Sequence, residues 1–342
     1  MSKYLVTGGA GYVGSVVGAH LLRAGHEVTV LDDLSTGFRE GVPAGAEFVE
    51  GRIQDAAKWL DPTYDGVLHF AAFSQVGESV VHPEKYWENN VGGTMALLAA
   101  MREAGVRRLV FSSTAATYGE PDVVPIVESA PTAPTNPYGA SKLAVDHMIG
   151  GECRAHGLAA ASLRYFNVAG AYGDCGERHD PESHLIPLVL RVALGRREAI
   201  SVYGDDYPTP DGTCIRDYIH VADLAEAHLL AMDRVTPGEH LICNLGNGSG
   251  FSVREVVETV RRVTGHPVPE TVAPRRGGDP AVLVASAETA REKLGWTPSR
   301  ADLAGIITDA WDFARRIQGQ AQGQAQGQAQ GRAQAQGQGR ES

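Results

Sequence analysis

The chain has 342 residues, of which 43% are apolar and 21% charged. That is ordinary for a globular protein and long enough for one large domain or two lobes. A formal net charge of −11 argues against a general nucleic-acid binder and offers no basic patch to anionic membranes, though loop amides and a few arginines suffice to hold an anionic ligand.

The N-terminal KYLVT reads as a short apolar strand, and YVGSVVGAHLLRAG after it has helical periodicity ending in glycine. EVTVLDD, AEFVEG, GVLHFAA and RRLVFSS read as further strands, with a helical PEKYWENNVGGTMALLAAMREAG between the last two. A helix starts at Pro137, with Asn136 as its cap, and AAASLRYFN follows as another strand. This alternation predicts an α/β fold over residues 1–167, a Rossmann-like doubly wound parallel sheet. Beyond residue 167 the loops grow rich in Gly, Asp and Pro, and residues 168–317 read mainly as a smaller C-terminal substrate lobe. IHVADLAEAHLLAMD and HLICNLGNG, within residues 215–246, read as a helix and a strand that extend the sheet. From Gln318 a Gln/Gly/Ala repeat has almost nothing to bury, so residues 318–342 are expected to be a disordered tail.

Cys153, Cys175, Cys214 and Cys243 lie far apart without a CxxC, which suits reduced thiols better than a zinc centre or disulfides. The N-terminus is a strand and glycine loop, not a leader, and no run approaches the roughly 18 apolar residues of a membrane span. A cytoplasmic protein without a metal is therefore expected.

TGGAGYVGS places Gly8, Gly11 and Gly14 between a strand and a helix. Such glycines let the backbone approach a pyrophosphate, which the helix N-terminus then attracts. Asp32 ends the second strand, where a carboxylate accepts bonds from ribose hydroxyls and repels a 2′-phosphate; NAD is favoured over NADP. Asp33 has the plainer reading of capping the next turn.

Tyr138 and Lys142 share a helix face at i,i+4. A tyrosine with its ordinary pKa of about 10 is a poor base at neutral pH. A nearby ammonium stabilises the phenolate, which can then take a proton from an alcohol as hydride leaves its carbon. Alone, the pair would be an ordinary solvated face. Downstream of a nucleotide loop and of the strand end FSSTAATYG, it reads as catalytic.

GxxGxxG, a Ser/Thr after a strand, and YxxxK together resemble the extended short-chain dehydrogenase/reductases. VTGGAGYVGS, VGESV, NNVGGT, NPYGASK, LRYFNVAGA, DYPTPDGTCIRDYIHVADLA and APRRGGDPA are similar, in that order, to the UDP-glucose 4-epimerases over residues 3 to about 317. The resemblance implies a retained NAD, with Tyr12 and Val13 at its pyrophosphate. Asp32, Asp33, Leu34, Ser35, Thr36 and Gly37 would line the adenosine ribose, with Ile53 nearby. Phe70, Ala71, Ala72, Asn90 and Phe166 would complete the cofactor site. Thr114 would bond the sugar 4′-oxygen, Tyr138 would be the base and Lys142 its tuner and a ribose contact. Asn167, His184, Leu185, Tyr203, Arg216, Arg276 and Asp279 would hold a UDP-sugar substrate. The implied reaction oxidises C4′ transiently to a keto sugar, which turns and is reduced from its other face. Pairing of the helices near 83–104 and 137–156 into a homodimer is implied too.

Three departures matter. Arg52 stands where the family usually has an acid that bonds the adenine; an arginine could only stack there. Ser74 replaces a common lysine. Val282 takes the place of a pocket-wall tyrosine, which implies room for an N-acetyl group and turnover of UDP-GlcNAc and UDP-GalNAc. Competing readings are a UDP-glucuronate decarboxylase or epimerase and a non-catalytic NAD-sensing protein. A 4,6-dehydratase is disfavoured because Ala115 and Ala116 replace its acid–base pair.

Overall fold

The computed structural model describes residues 1–277 and 279–338, with side chains to residue 320. Six strands alternate with helices along the first half: β1 (Lys3–Thr7), β2 (Glu27–Asp32), β3 (Glu47–Glu50), β4 (Gly66–His69), β5 (Arg108–Thr114) and β6 (Ala159–Tyr165). With the strand His240–Leu245 they form a seven-stranded sheet, ordered His240–Leu245, β6, β5, β4, β1, β2, β3, and every neighbouring pair is parallel. The C-terminal stretch predicted to extend the sheet does so beside β6.

Parallel strands need coverage on both faces, and near-continuous apolar runs provide for it. All seven residues of β6 are buried. On one face Val16, Val17 and Leu21 of helix α1 (Tyr12–Arg23) pack with Leu224, Ala227 and Ala231 of the helix Val221–Arg234. On the other, Leu97 and Met101 of the helix Thr94–Ala104 meet Val145 and Ile149 of the helix Pro137–His156. A separate core gathers Ile186, Val189, Val256, Val260, Ile306 and Trp311 from three helices of the C-terminal region.

The strand order reverses between β1 and β4. Crossovers there leave to opposite faces and open a crevice at the strands' C-terminal ends. The last helix, Leu303–Gln338, enters the segment expected to be disordered. Ala and Gln favour a helix and no proline interrupts them, but Gly319, Gly323, Gly327, Gly331 and Gly337 each cost about 1 kcal/mol there, so propensity alone does not account for it. Residues 339–342 of that expected tail lie outside the described residues.

Candidate active site

One cleft of about 600 Å³ runs from the glycine loop across the ends of β1, β4 and β5 to the C-terminal lobe. At its inner end the glycines have physical reasons. Gly8 has φ +71°, and a Cβ there would stand 2.5 Å from the Ala71 nitrogen. A Cβ on Gly14 would lie 2.3 Å from the Gly8 carbonyl oxygen. Gly11 is different: a Cβ would meet only that oxygen, at 3.3 Å, and otherwise point into open space. Gly11 also heads α1 without a side-chain cap, so the first-turn N–H groups at Tyr12 and Val13 are left for a ligand. This cradle fits a dinucleotide pyrophosphate.

Asp32 is buried beside it. Its carboxylate accepts from the Ala10 N–H at 3.0 Å and the Leu34 N–H at 2.9 Å. Burial raises its pKa and those two bonds lower it, leaving a net rise. Asp33, Ser35, Thr36, Gly37, Ile53, Phe70, Ala71 and Ala72 line the cleft as expected, and Asp33 also accepts from the Ser35 N–H at 3.0 Å.

Leu34 does not line it. Leu34 has a φ of +57°, its N–H tied to Asp32, and its side chain is not among the cleft's walls. Asn90 is a second difference. It is buried behind the wall, accepting from the Phe73 N–H at 2.9 Å and donating to the Phe73 carbonyl and the Ser141 hydroxyl. Its neighbour Asn89 faces the cleft instead, because residues 87–93 form a π-helical turn whose wider winding shifts which side chain points inward. Asn90 thus braces the loop after β4. Arg52 turns outward to Glu88 at 3.6 Å, in an exposed pair of little energetic weight. Gly51 and Ile53 flank it on the cleft wall. The stacking role that sequence allowed for Arg52 is not what the geometry provides.

Thr114, Tyr138 and Lys142 meet at mid-cleft. Thr114 ends β5 and caps the following turn, its hydroxyl accepting from the Ala116 N–H. The Asn136 side chain accepts from the Gly139 N–H at 2.9 Å and Pro137 opens the helix, which aims Tyr138 at Thr114. Burial raises the Tyr138 pKa and the Thr114 hydroxyl lowers it, for a net rise. Lys142 is buried and donates to the Ser112 carbonyl at 2.8 Å. Burial lowers its pKa, Asp146 partly offsets this, and the result is about 7. Phe166 stands close by, and Ala115 and Ala116 occupy the wall where elimination chemistry would want an acid and a base.

Toward the C-terminal lobe the cleft is lined by Asn167, His184, Leu185 and Arg216. Arg216 is paired with Asp279. Tyr203 carries the Arg276 guanidinium 4.0 Å over its ring. Tyr203, Arg276 and Asp279 stand outside the cleft wall. Val282 does too: successive residues of its strand face opposite ways, and Leu283 is the one that reaches the cleft.

Sequence reasoning missed Asn89, Gln75, Lys85, Leu283, Glu177 and His179, all cleft-lining. Glu177, His179, Glu182 and His184 lie together, with His184 Nδ1 at 2.8 Å from Glu177 and 2.9 Å from Glu182. Burial opposes charge on His184, but these bonds outweigh it and push its pKa up to about 10. Burial likewise opposes charge on His179, which Glu177 and Glu182 push up to about 9. The repeated E-x-H in GERHDPESH was the available signal.

Comparison with known proteins bears on this cleft. The model of the NAD dependent epimerase/dehydratase family matches residues 4–246. A UDP-glucose 4-epimerase of Streptomyces lividans is 78% identical over 316 residues, 91% of this chain and 95% of that protein. A solved UDP-glucose-4-epimerase from Stenotrophomonas maltophila, with bound NAD and formylated UDP-arabinopyranose, has a TM-score of 0.89 at 40% identity, covering 93% of this chain and 99% of its own. That from Brucella ovis, in complex with NAD, has a TM-score of 0.88 at 46% identity, with 92% and 98% covered.

Proposed function

The chain belongs to the NAD dependent epimerase/dehydratase family, and from that premise we propose that it is a UDP-glucose 4-epimerase, an isomerase that inverts C4′ of its sugar. The observation that carries this is 78% identity to such an enzyme over 91% of the chain. Interconversion of UDP-galactose and UDP-glucose by the purified protein tests it. Ala115 and Ala116 on the cleft wall speak against dehydration.

NAD, when bound, supplies the acceptor and donor of the C4′ hydride. In our reading the amides of Gly11 to Gly14 hold its pyrophosphate and Asp32 its adenosine ribose, with Phe70 to Ala72 and Phe166 completing that half of the cleft. Tyr138 takes the 4′-hydroxyl proton and hands it back after the sugar has turned. Thr114 holds the 4′-oxygen during both transfers. Lys142 stabilises the phenolate and orients the nicotinamide ribose. Arg216 lines the cleft and would make a charge-assisted contact to the diphosphate, for which it must exchange Asp279. Asn167, His184 and Leu185 complete the substrate half. The grip must fall on the nucleotide, because the sugar has to present both faces to one hydride site.

A homodimer is part of this reading. Trp87 and Met95 are exposed and eight residues apart on one winding helical segment, with exposed Val76, Val80 and Val81 just before it. Exposed apolar side chains along that segment favour a partner copy over water, Val76 excepted because it lines the cleft. No helix among the described residues is long and apolar enough to cross a membrane. All four cysteines are free and buried, which supports the cytoplasmic reading.

A further inference from the structure

Four side chains at the mouth of the cleft have no assigned part in the reaction as a group. They come from two E-x-H arms, Glu177–His179 and Glu182–His184, five residues apart in the segment leading into the helix Leu185–Ala193. One donor atom from each lies within 4.8 Å of all the others. The pairs are close: His184 Nδ1 to Glu177 at 2.8 Å and to Glu182 at 2.9 Å, His179 Nδ1 to Glu177 at 3.2 Å and to Glu182 at 3.8 Å. A four-coordinate zinc with ligands at about 2.0–2.2 Å sets neighbouring donors about 3.3–3.5 Å apart, and the observed distances straddle that value.

The carboxylates are the unusual part. The side chains of Glu177 and Glu182 are 9% and 1% exposed. Two carboxylates withdrawn from water converge on the same two imidazoles, which as cations balance them in the metal-free chain, and a divalent ion held between the four groups would take over that role. His179 Nδ1 is buried and makes no hydrogen bond of good geometry. Oε1 of Glu182, the oxygen nearest His184, also accepts from the N–H groups of Ser183 and His184, both at 2.8 Å, which leaves Oε2 for an ion. The His179 carbonyl is held by Arg191 at 3.2 Å. These bonds fix the backbone at His179 and one carboxylate of the set.

We propose that Glu177, His179, Glu182 and His184 bind one divalent transition-metal ion, zinc by the chemistry of two imidazoles and two carboxylates. All four positions are filled by protein, so the site is structural. It staples residues 177–184 to the start of the helix Leu185–Ala193. The Nδ1 atom of His184 faces the metal, and its other nitrogen is left for the cleft. Nothing in this depends on which sugar the enzyme turns over.

The test uses full-length protein without a histidine tag. Zinc content is measured by elemental mass spectrometry after purification without chelator. The protein is then stripped with chelator and titrated with zinc chloride against a chromophoric competitor. The expected result is about one zinc per chain and 1:1 rebinding, weakened at least tenfold in His179→Ala and in Glu182→Gln. Thermal melting temperature should rise on zinc addition in the parent and not in either variant. Absence of zinc in the purified protein together with no saturable 1:1 binding would overturn the proposal. So would unchanged binding in both His179→Ala and Glu182→Gln, which would place the metal elsewhere.

Discussion

The ammonium of Lys142 donates to the carbonyl of Ser112 at 2.8 Å, and among the described residues no hydrogen bond joins it to the phenol of Tyr138 one helical turn before it. The Tyr138 pKa is raised, first by burial, with only Thr114 pulling it down. In this state the tyrosine is therefore a proton holder rather than a base. Its activation belongs to the loaded enzyme.

Replacing that phenol removes the proton carrier and little else. Tyr138→Phe is expected to lower kcat by about 10²–10⁴-fold, the usual worth of a positioned acid–base group, with far-UV circular dichroism and bound NAD unchanged. Steady-state kinetics with UDP-galactose check this. A variant with near-parental turnover would remove Tyr138 from the chemistry.

Lys142 makes a prediction about pH. Its folded pKa of about 7 lies below the unfolded value of about 10.4. Between those values the unfolded chain binds the extra proton, so this residue's contribution to stability rises with pH. The penalty of burying the charge is complete below about pH 7 and is relieved toward pH 10. In urea melts of NAD-free protein, Lys142→Met should exceed the parent in stability most at pH 6–7. The gap should narrow by at most about 1.4 kcal/mol per pH unit above that. A gap constant from pH 6 to 9 would contradict a buried, titrating ammonium.

Gly14 tests the cofactor cradle. A Cβ there would sit 2.3 Å from the Gly8 oxygen and 2.9 Å from the Gly9 Cα, both backbone atoms. Gly14→Ala must therefore open the loop, and NAD released from heat-denatured protein should fall at least tenfold. Gly151, with nothing within 4 Å of its Cβ position, is the control: Gly151→Ala should keep NAD and gain up to about 1 kcal/mol from helix propensity.

Leu283 sets the breadth of the sugar pocket in our reading. It faces the cleft and is smaller than a tyrosine, so UDP-GlcNAc should be turned over alongside UDP-galactose. Leu283→Tyr should cut the UDP-GlcNAc rate at least tenfold more than the UDP-galactose rate, and Val282→Tyr should not. Equal effects on both substrates would show that this wall does not read the C2′ substituent.

Much of this was legible where the signal was local. The Asn136–Pro137 helix start, the Tyr138–Lys142 spacing and the strand–glycine–helix order are written in a few adjacent residues, and the sheet follows from their alternation. Where the cleft wall departs from the expected residues, winding or register decides it. A π-turn exchanged Asn89 for Asn90, one step of a strand exchanged Leu283 for Val282, and a left-handed residue took Leu34 off the wall. Arg52 found Glu88, on a distant helix, which spacing alone does not reveal. The two E-x-H arms lie in a segment with neither helical nor strand periodicity, so only the folded chain brings them together.

The most direct test of the central claim is to add UDP-galactose to the purified chain, with no NAD supplied, and follow UDP-glucose by chromatography. The account predicts conversion to an equilibrium mixture, because the enzyme carries its NAD through purification and regenerates it each turnover. No conversion, with or without added NAD, from protein that is folded by circular dichroism would contradict it.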